Sequence, residues 1–372
     1  MTLTWTPIPI SIARPELGPA EEAAVLEVMR SGALAQGTQV KAFEEAFAAA
    51  TGARFAIATS NGTTALQLAM MAHGVGPGDE VITTPLSFIA TANAIVHTGG
   101  RPVFGDVDST LNLDPASVEA LIGPRTRAIM PVHLHGNPFR IAEFQRIADE
   151  HGLALVQDAC QAIGATIHGA QLGSFGTAGY SLYATKNLTT GEGGMITTND
   201  PAVAEMCASL RSHAYSDDVP YLHTAVGYNF RMTEIEAAIG LCQLDRLEEI
   251  NRRRRENAGY LDEAIDQQAY PRPLRNPGHE HMFHQYVITV PKGRRLGRDD
   301  ARQGLAAAGI GSGVHYGIPI HQQPPYRDLE QGPFPLAERA SEEMISLPVH
   351  PLVTEPELER IAQTLQGLLA AS

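Results

Sequence analysis

The apolar positions of the first half fall into short continuous runs, separated by segments of helical spacing. The runs are Phe55–Thr59, Glu80–Thr84, Pro102–Val107, Ala128–Val132, Ala154–Asp158, Gly179–Tyr183 and Met195–Thr198. They do not alternate strictly, as expected of strands covered on both faces, where neither side meets water. Between early runs, Leu66, Ala69 and Met70 recur at helical spacing within Thr63–His73. The alternation predicts a layered α/β domain with a mostly parallel sheet flanked by helices. Past Asp158 the runs crowd together with loops between them, and loops at strand ends are where ligands settle in such folds.

The pattern then changes. Thr233 reads as an N-cap with Glu236 three positions on, so a helix is expected from Thr233 to about Ile265. Ile235, Ile239, Cys242, Leu247 and Ile250 would be its buried stripe. Tyr270–Gly278, rich in proline and glycine, marks a seam. A strand at Gln285–Val290 and helices at Arg298–Ala308 and Glu355–Ala370 make a second, smaller α+β unit. A chain of 372 residues exceeds what one core usually holds. The expected division is 1–245, a large α/β domain with the N-terminal segment, and 246–372, a small C-terminal α+β domain.

Charge and composition remove several classes of function. A formal net charge of -14 opposes nucleic-acid binding. The one dense basic run, Arg252 to Arg255, sits among Asp245, Glu248, Glu249 and Glu256 and reads as the solvated face of a helix. No apolar stretch is long enough to cross a bilayer, and the start, MTLTWTPIPISIARPELG, lacks the pattern of a signal peptide. Cys160, Cys207 and Cys242 form no C-x-x-C pair, and their odd, sparse count fits a reducing cytoplasm. The expectation is a cytoplasmic protein with no nucleic-acid or membrane partner.

Three segments carry candidate chemistry. Ser60-Asn61-Gly62-Thr63-Thr64 follows a strand and opens a helix. Its glycine allows close approach and its free N–H groups favour an anion, although small polar residues also cap many helices with no ligand. Asp158 ends an apolar strand, where it could be a metal ligand, a general base or the partner of a ring nitrogen. A carboxylate beside a pyridine nitrogen favours the protonated ring, which is an electron sink. Lys186, the only lysine between Leu153 and Asn229, lies among Tyr183, Ala184 and Leu188. Desolvation there would free its amine to attack a carbonyl; the alternative is an exposed loop lysine.

Taken in order, these segments resemble the sugar aminotransferases of the DegT/DnrJ/StrS type. The resemblance includes Arg30–Gly32, Ser60–Leu66, Pro85–Asn93, Pro131–Gly136, Asp158–Ala162, Ser181–Gly194, Gly227–Arg231 and Ser346–Pro351. It implies the aspartate-aminotransferase-like fold (fold type I) with a seven-stranded sheet, and pyridoxal 5'-phosphate (PLP) as cofactor, passing through pyridoxamine 5'-phosphate (PMP). By resemblance, Lys186 carries the cofactor covalently and shuttles the proton, while Asp158 pairs with the ring nitrogen. Gln161 reaches the ring hydroxyl and Phe88 lies on the ring. Gly62, Thr63 and Ser181 hold the phosphate. Asn229 reaches the phosphate of a neighbouring subunit, so a homodimer with shared active sites is implied. Arg231 is a candidate for the donor's carboxylate or for a structural ion pair. His315, Tyr316 and His321 lie in a loop that borders the sugar site or is simply histidine-rich surface.

The implied reaction moves an amino group, from glutamate, to a keto-sugar of a nucleoside diphosphate. A dehydratase or isomerase on the same scaffold, or a non-catalytic sensor, remains as an alternative; the related dehydratases carry histidine where this chain has Lys186. The H-x-H-x-x-H of His279, His281 and His284 and the H-x-H of His133 and His135 invite a metal reading, but no metal is expected.

Overall fold

The computed structural model describes residues 10–216, 218–329 and 331–371. Half of the opening stretch on which the absence of a leader was read lies outside them. Seven strands form the central sheet: β1 (Phe55–Thr59), β2 (Glu80–Thr83), β3 (Arg101–Phe104), β4 (Thr126–Ile129), β5 (Ala154–Asp158), β6 (Thr177–Ser181) and β7 (Gly194–Thr198). Their order is β1-β7-β6-β5-β4-β2-β3. The neighbours from β6 to β3 are parallel, and β7 alone runs against β6 and β1. Each expected strand is present, with ends moved by up to three residues. Val107 and Val132 fall outside the ladder and make only isolated bridges, because there the chain turns into loops.

The lack of alternation in the sequence has a direct cause. Successive residues of a strand point to opposite faces. Ile57 and Ala58, Val81 and Ile82, Ala128 and Ile129, and Met195 and Ile196 each divide between two separate apolar clusters. Both faces are therefore cores. The helices of this half are α1 (Pro19–Ser31), α2 (Thr38–Thr51), α3 (Gly62–Ala72), α4 (Ala90–Val96), α5 (Pro115–Leu121), α6 (Ile141–His151), α7 (Pro201–Arg211) and α8 (Glu234–Asp245). Apolar residues of α3, α4 and α7 join one cluster, and those of α2, α5, α6 and α8 join the other.

The helix expected over 233–265 is two helices. Thr233 does cap α8 with Glu236 in a reciprocal box, but α8 ends at Asp245 and α9 (Leu247–Ala264) begins after Arg246. Arg246 has φ -104 and ψ 0, and its N–H reaches back to Gln243 and Leu244 carbonyls. Its side chain is drawn away to Glu16 and Glu21. The expected stripe on α8 is also corrected: the buried face is Ala237, Ala238, Gly240 and Gln243, with Ile235, Ile239 and Cys242 half-buried. The small residues are needed for close packing, since a Cβ on Gly240 would lie 2.5 Å from the Phe43 ring.

The C-terminal unit packs α9, α10 (Arg298–Ala307), α11 (Pro335–Glu343) and α12 (Glu355–Ala371) about an antiparallel pair, β8 (Tyr286–Thr289) and β9 (Met344–Leu347). Its core holds Leu261, Tyr286, Ile288, Leu305, Ile345 and Ile361. Ile10, expected with the large domain, belongs to this second core and bridges Ile310. The basic run also needs correction. Arg252, Arg253 and Arg255 do pair with glutamates at the surface, but Arg254 is 4% exposed and turned inward.

Candidate active site

The carboxyl end of β5 delivers Asp158 into the protein, buried and without an ion-pair partner among the described residues. Its position is fixed by two donors. Thr91, on α4, donates its hydroxyl to Oδ2 at 2.7 Å, and the Cys160 backbone N–H donates to Oδ1 at 3.1 Å. Ser87 lies 2.9 Å from the same Thr91 hydroxyl. A buried carboxylate held this way keeps acceptor capacity for one more positive donor.

Lys186 lies in the loop between β6 and β7, half-buried, with its backbone N–H on the Tyr183 carbonyl. Burial lowers its pKa below the usual lysine value, while Cys160 and Asp158 nearby oppose that shift. The amine is therefore easier to deprotonate than a surface lysine, which nucleophilic chemistry requires.

The start of α3 supplies the third component. Asn61 caps it, accepting from the Thr64 N–H at 2.9 Å, so the Gly62 and Thr63 amides at the helix start are left for another acceptor. Ser181, at the end of β6, packs directly on Gly62. A Cβ there would sit 2.7 Å from the Ser181 Cβ and 3.1 Å from the Cys160 sulfur. Helix start, serine hydroxyl and strand end thus share one cradle, and the glycine is required by that approach.

Above Asp158, Gln161 is buried; its Oε1 accepts the His135 N–H at 2.7 Å and its Nε2 faces the Tyr316 hydroxyl at 3.4 Å. The Phe88 ring is 55% exposed and lies 5.8 Å from the Tyr316 ring, leaving an open aromatic face. His315 bonds to the Ser346 hydroxyl at 2.9 Å and its carbonyl accepts from His135. Burial lowers the His315 pKa to about 4, helped by the charges of Lys186 and Arg302.

Not every expected residue joins this cluster. Asn229 is exposed and bridges Ser212; the next residue, Phe230, accepts the Ser60 N–H at 2.8 Å, which sets the loop beside the α3 start. Arg231 donates to the Ser212 hydroxyl at 3.2 Å and has no carboxylate partner among the described residues. His321 is directed elsewhere, to Glu338 of α11 at 3.0 Å against the Phe334 ring. His133 stacks on Phe139 and bonds to Gln157, and His281 stacks on Phe283. Among the described residues no group of three acidic, histidine or cysteine side chains is arranged to hold a metal ion. Sequence reasoning missed Thr91, although it lies inside the Pro85–Asn93 segment, and it placed Tyr316 in the loop of His315 without its contact to Gln161.

A carboxylate for a ring nitrogen, an amine for a carbonyl and a cradle for a phosphate fit one small molecule that carries all three, pyridoxal phosphate. Fold and site together define a PLP-dependent enzyme of the aspartate-aminotransferase architecture. Comparison with known proteins narrows this. Residues 15–366 match the DegT/DnrJ/EryC1/StrS aminotransferase family, and the chain belongs to that family. It is 41% identical to the "Pleiotropic regulatory protein" of Geobacillus stearothermophilus, over 91% of each chain. It is 40% identical to GDP-perosamine synthase of Caulobacter vibrioides, over 97% of this chain and 98% of that one. Among solved structures, DesV of S. venezuelae superposes with a TM-score of 0.89 at 35% identity, over 93% of each chain. Spr1654 of Streptococcus pneumoniae, solved in PLP and PMP forms, gives 0.92 at 28% and 27% identity, over 97% of this chain and 99% of that one. The chain is a PLP-dependent aminotransferase.

Proposed function

We propose that the chain transfers an amino group from glutamate to a keto-sugar carried on a nucleoside diphosphate, as a cytoplasmic homodimer. The observation that carries this reading is the convergence of Asp158, Lys186 and the Gly62–Ser181 cradle at the carboxyl ends of β1, β5 and β6 in one mostly parallel sheet. The names of relatives add the substrate class: one is a GDP-perosamine synthase and another, 37% identical, a spore coat polysaccharide biosynthesis protein of Bacillus subtilis.

PLP, when bound, supplies the electron sink that makes the substrate's Cα–H acidic. The residues do the rest. Lys186 would hold the cofactor covalently and, as a desolvated amine once released, would take up and return the proton of the substrate carbon. Asp158 keeps the ring nitrogen protonated by charge, with Thr91 and the Cys160 amide fixing its plane. Gly62, Thr63 and Ser181 bind the phosphate. Gln161 orients the ring hydroxyl, and the Phe88 ring covers the cofactor face. The exposed Asn229 serves the partner's phosphate. Arg231, with donors to spare beyond Ser212, binds an anionic group of a substrate. His315 borders the sugar, and His321 shapes the same loop through Glu338.

Absorbance of the purified protein with added PLP tests this directly. A lysine-bound band near the visible that fades on adding L-glutamate, with borohydride bleaching the band and fixing the cofactor to the chain in the wild type but not in Lys186→Ala, supports the reading. A band that persists with every amino acid would move the chain to the dehydratase or isomerase class. Asp158→Asn should retain cofactor and lose most of the rate, because an amide cannot hold the ring proton.

A further inference from the structure

Beside Lys186 lies a cavity of about 90 Å³, lined by Thr185, Arg254, His284, Gln285, His315 and Leu347 among others. On the scale of about 30 Å³ per water in the liquid, it has room for about three waters, or for a carboxylate and the start of its stem. A sugar nucleotide is far too large for it.

Three buried polar atoms of its lining are unmet, and the charged one among them belongs to Arg254. Arg254 is 96% buried, yet makes no ion pair among the described residues, whereas its neighbours Arg252, Arg253 and Arg255 all pair with glutamates. Its Nη1 donates to the Phe283 and His284 carbonyls at 3.0 and 3.3 Å, which fixes the plane of the guanidinium. Its Nε has no acceptor, and neither the buried His284 Nδ1 nor Gln285 Oε1 has a partner. No aspartate or glutamate lines the cavity. An uncompensated buried guanidinium is costly, and the missing element is an anion. The edge of a guanidinium carrying Nε matches the two oxygens of a carboxylate. Gln285 can offer its amide N–H in place of its oxygen by a half-turn of the side chain.

We propose that this cavity is the subsite for a carboxylate of the amino-acid donor, with Arg254 as its ionic partner and His284 and Gln285 as its hydrogen-bonding walls. The assignment rests on the transamination reading above, because it requires an amino acid to lie next to Lys186. Thr185 makes that adjacency covalent, and His284 and His315 both experience the Lys186 charge. Arg231 is not among the cavity's lining residues and is left for another anionic group.

Glutarate, a dicarboxylate with no amine, separates this proposal from the choice of donor. Its binding to the PLP-loaded protein is measured by calorimetry, alongside the cofactor band. The wild type should bind glutarate saturably. Arg254→Lys should weaken binding by roughly ten- to a hundredfold, the range for losing a hydrogen bond to a charged group, with the cofactor band unchanged. Should Arg254→Lys fail to fold, His284→Gln carries the same comparison. Equal affinity in the wild type and the folded variants, or no glutarate binding by the wild type, would overturn the subsite. So would Arg254-dependent binding of inorganic phosphate in place of glutarate. If glutarate binds in an Arg254-dependent manner while L-glutamate leaves the band intact, the subsite stands and the glutamate donor of the preceding section falls.

Discussion

Thr91, on α4, donates its hydroxyl to Oδ2 of Asp158 at 2.7 Å, joining that helix to the end of β5 in the middle of the sheet. Both residues are buried, so no water substitutes readily for either partner. Thr91→Val keeps the shape and removes the donor. The loss should destabilise the protein by about 1–3 kcal/mol, the cost of an unmet buried acceptor, and Thr91→Ser should restore most of it. Urea unfolding of the three proteins without cofactor measures this; equal midpoints for valine and threonine would show that the bond contributes nothing.

Gly62→Ala tests the cradle. The new methyl would meet the Ser181 Cβ at 2.7 Å and its Cα at 3.1 Å, and a backbone atom cannot rotate away. Cofactor affinity should drop by more than about tenfold while the far-ultraviolet spectrum stays native, since the disturbance is confined to the α3 start. Retention of wild-type PLP affinity in a folded Gly62→Ala protein would remove this glycine from the phosphate site.

Acid should unfold the protein partly through buried histidines. Burial lowers the pKa of His133 to about 3 and those of His135 and His315 to about 4, from 6.5. Between pH 6.5 and 4 the unfolded chain therefore binds protons that the folded one refuses. Stability is present in full above 6.5 and is lost as pH falls, by about 1.4 kcal/mol per pH unit for each such histidine. His133→Asn should flatten the pH dependence of the urea midpoint by about one proton. An unchanged slope would mean that His133 is charged in the fold.

Arg211 of α7 is buried, forms an ion pair with Glu44 and donates to the Ala58 carbonyl at 2.8 Å. Replacing one partner leaves the other charge stranded. Arg211→Met should cost about 3–5 kcal/mol, and the double replacement Arg211→Met with Glu44→Leu should recover part of that. Chemical denaturation of the single and double variants reads the difference, and a neutral single variant would contradict the burial argument.

Several features were legible without coordinates. Runs such as Val81-Ile82 and Ala128-Ile129 lack alternation because both faces of the sheet are cores, and that is visible residue by residue. Asp158 and Lys186 were legible because an acid ending an apolar strand and a lone lysine in a loop each conflict with their surroundings. The helix break at Arg246 was not, since it depends on Glu16 and Glu21, over two hundred positions away. His321 illustrates the same limit, because its Glu338 partner is set by the placement of α11.

The run Arg252 to Arg255 shows where the division falls. The sequence determined four like charges on a helix with acids three or four positions away, which is sufficient for Arg252 and Arg253 to pair at the surface. It could not determine which arginine turns inward. That follows from how α9 seats against the segment carrying Phe283 and His284, whose carbonyls take the Arg254 guanidinium. Local pairing depends on neighbours a turn away, whereas burial depends on every element that closes over the site, so only the tertiary structure decided which charge faces the cavity beside Lys186.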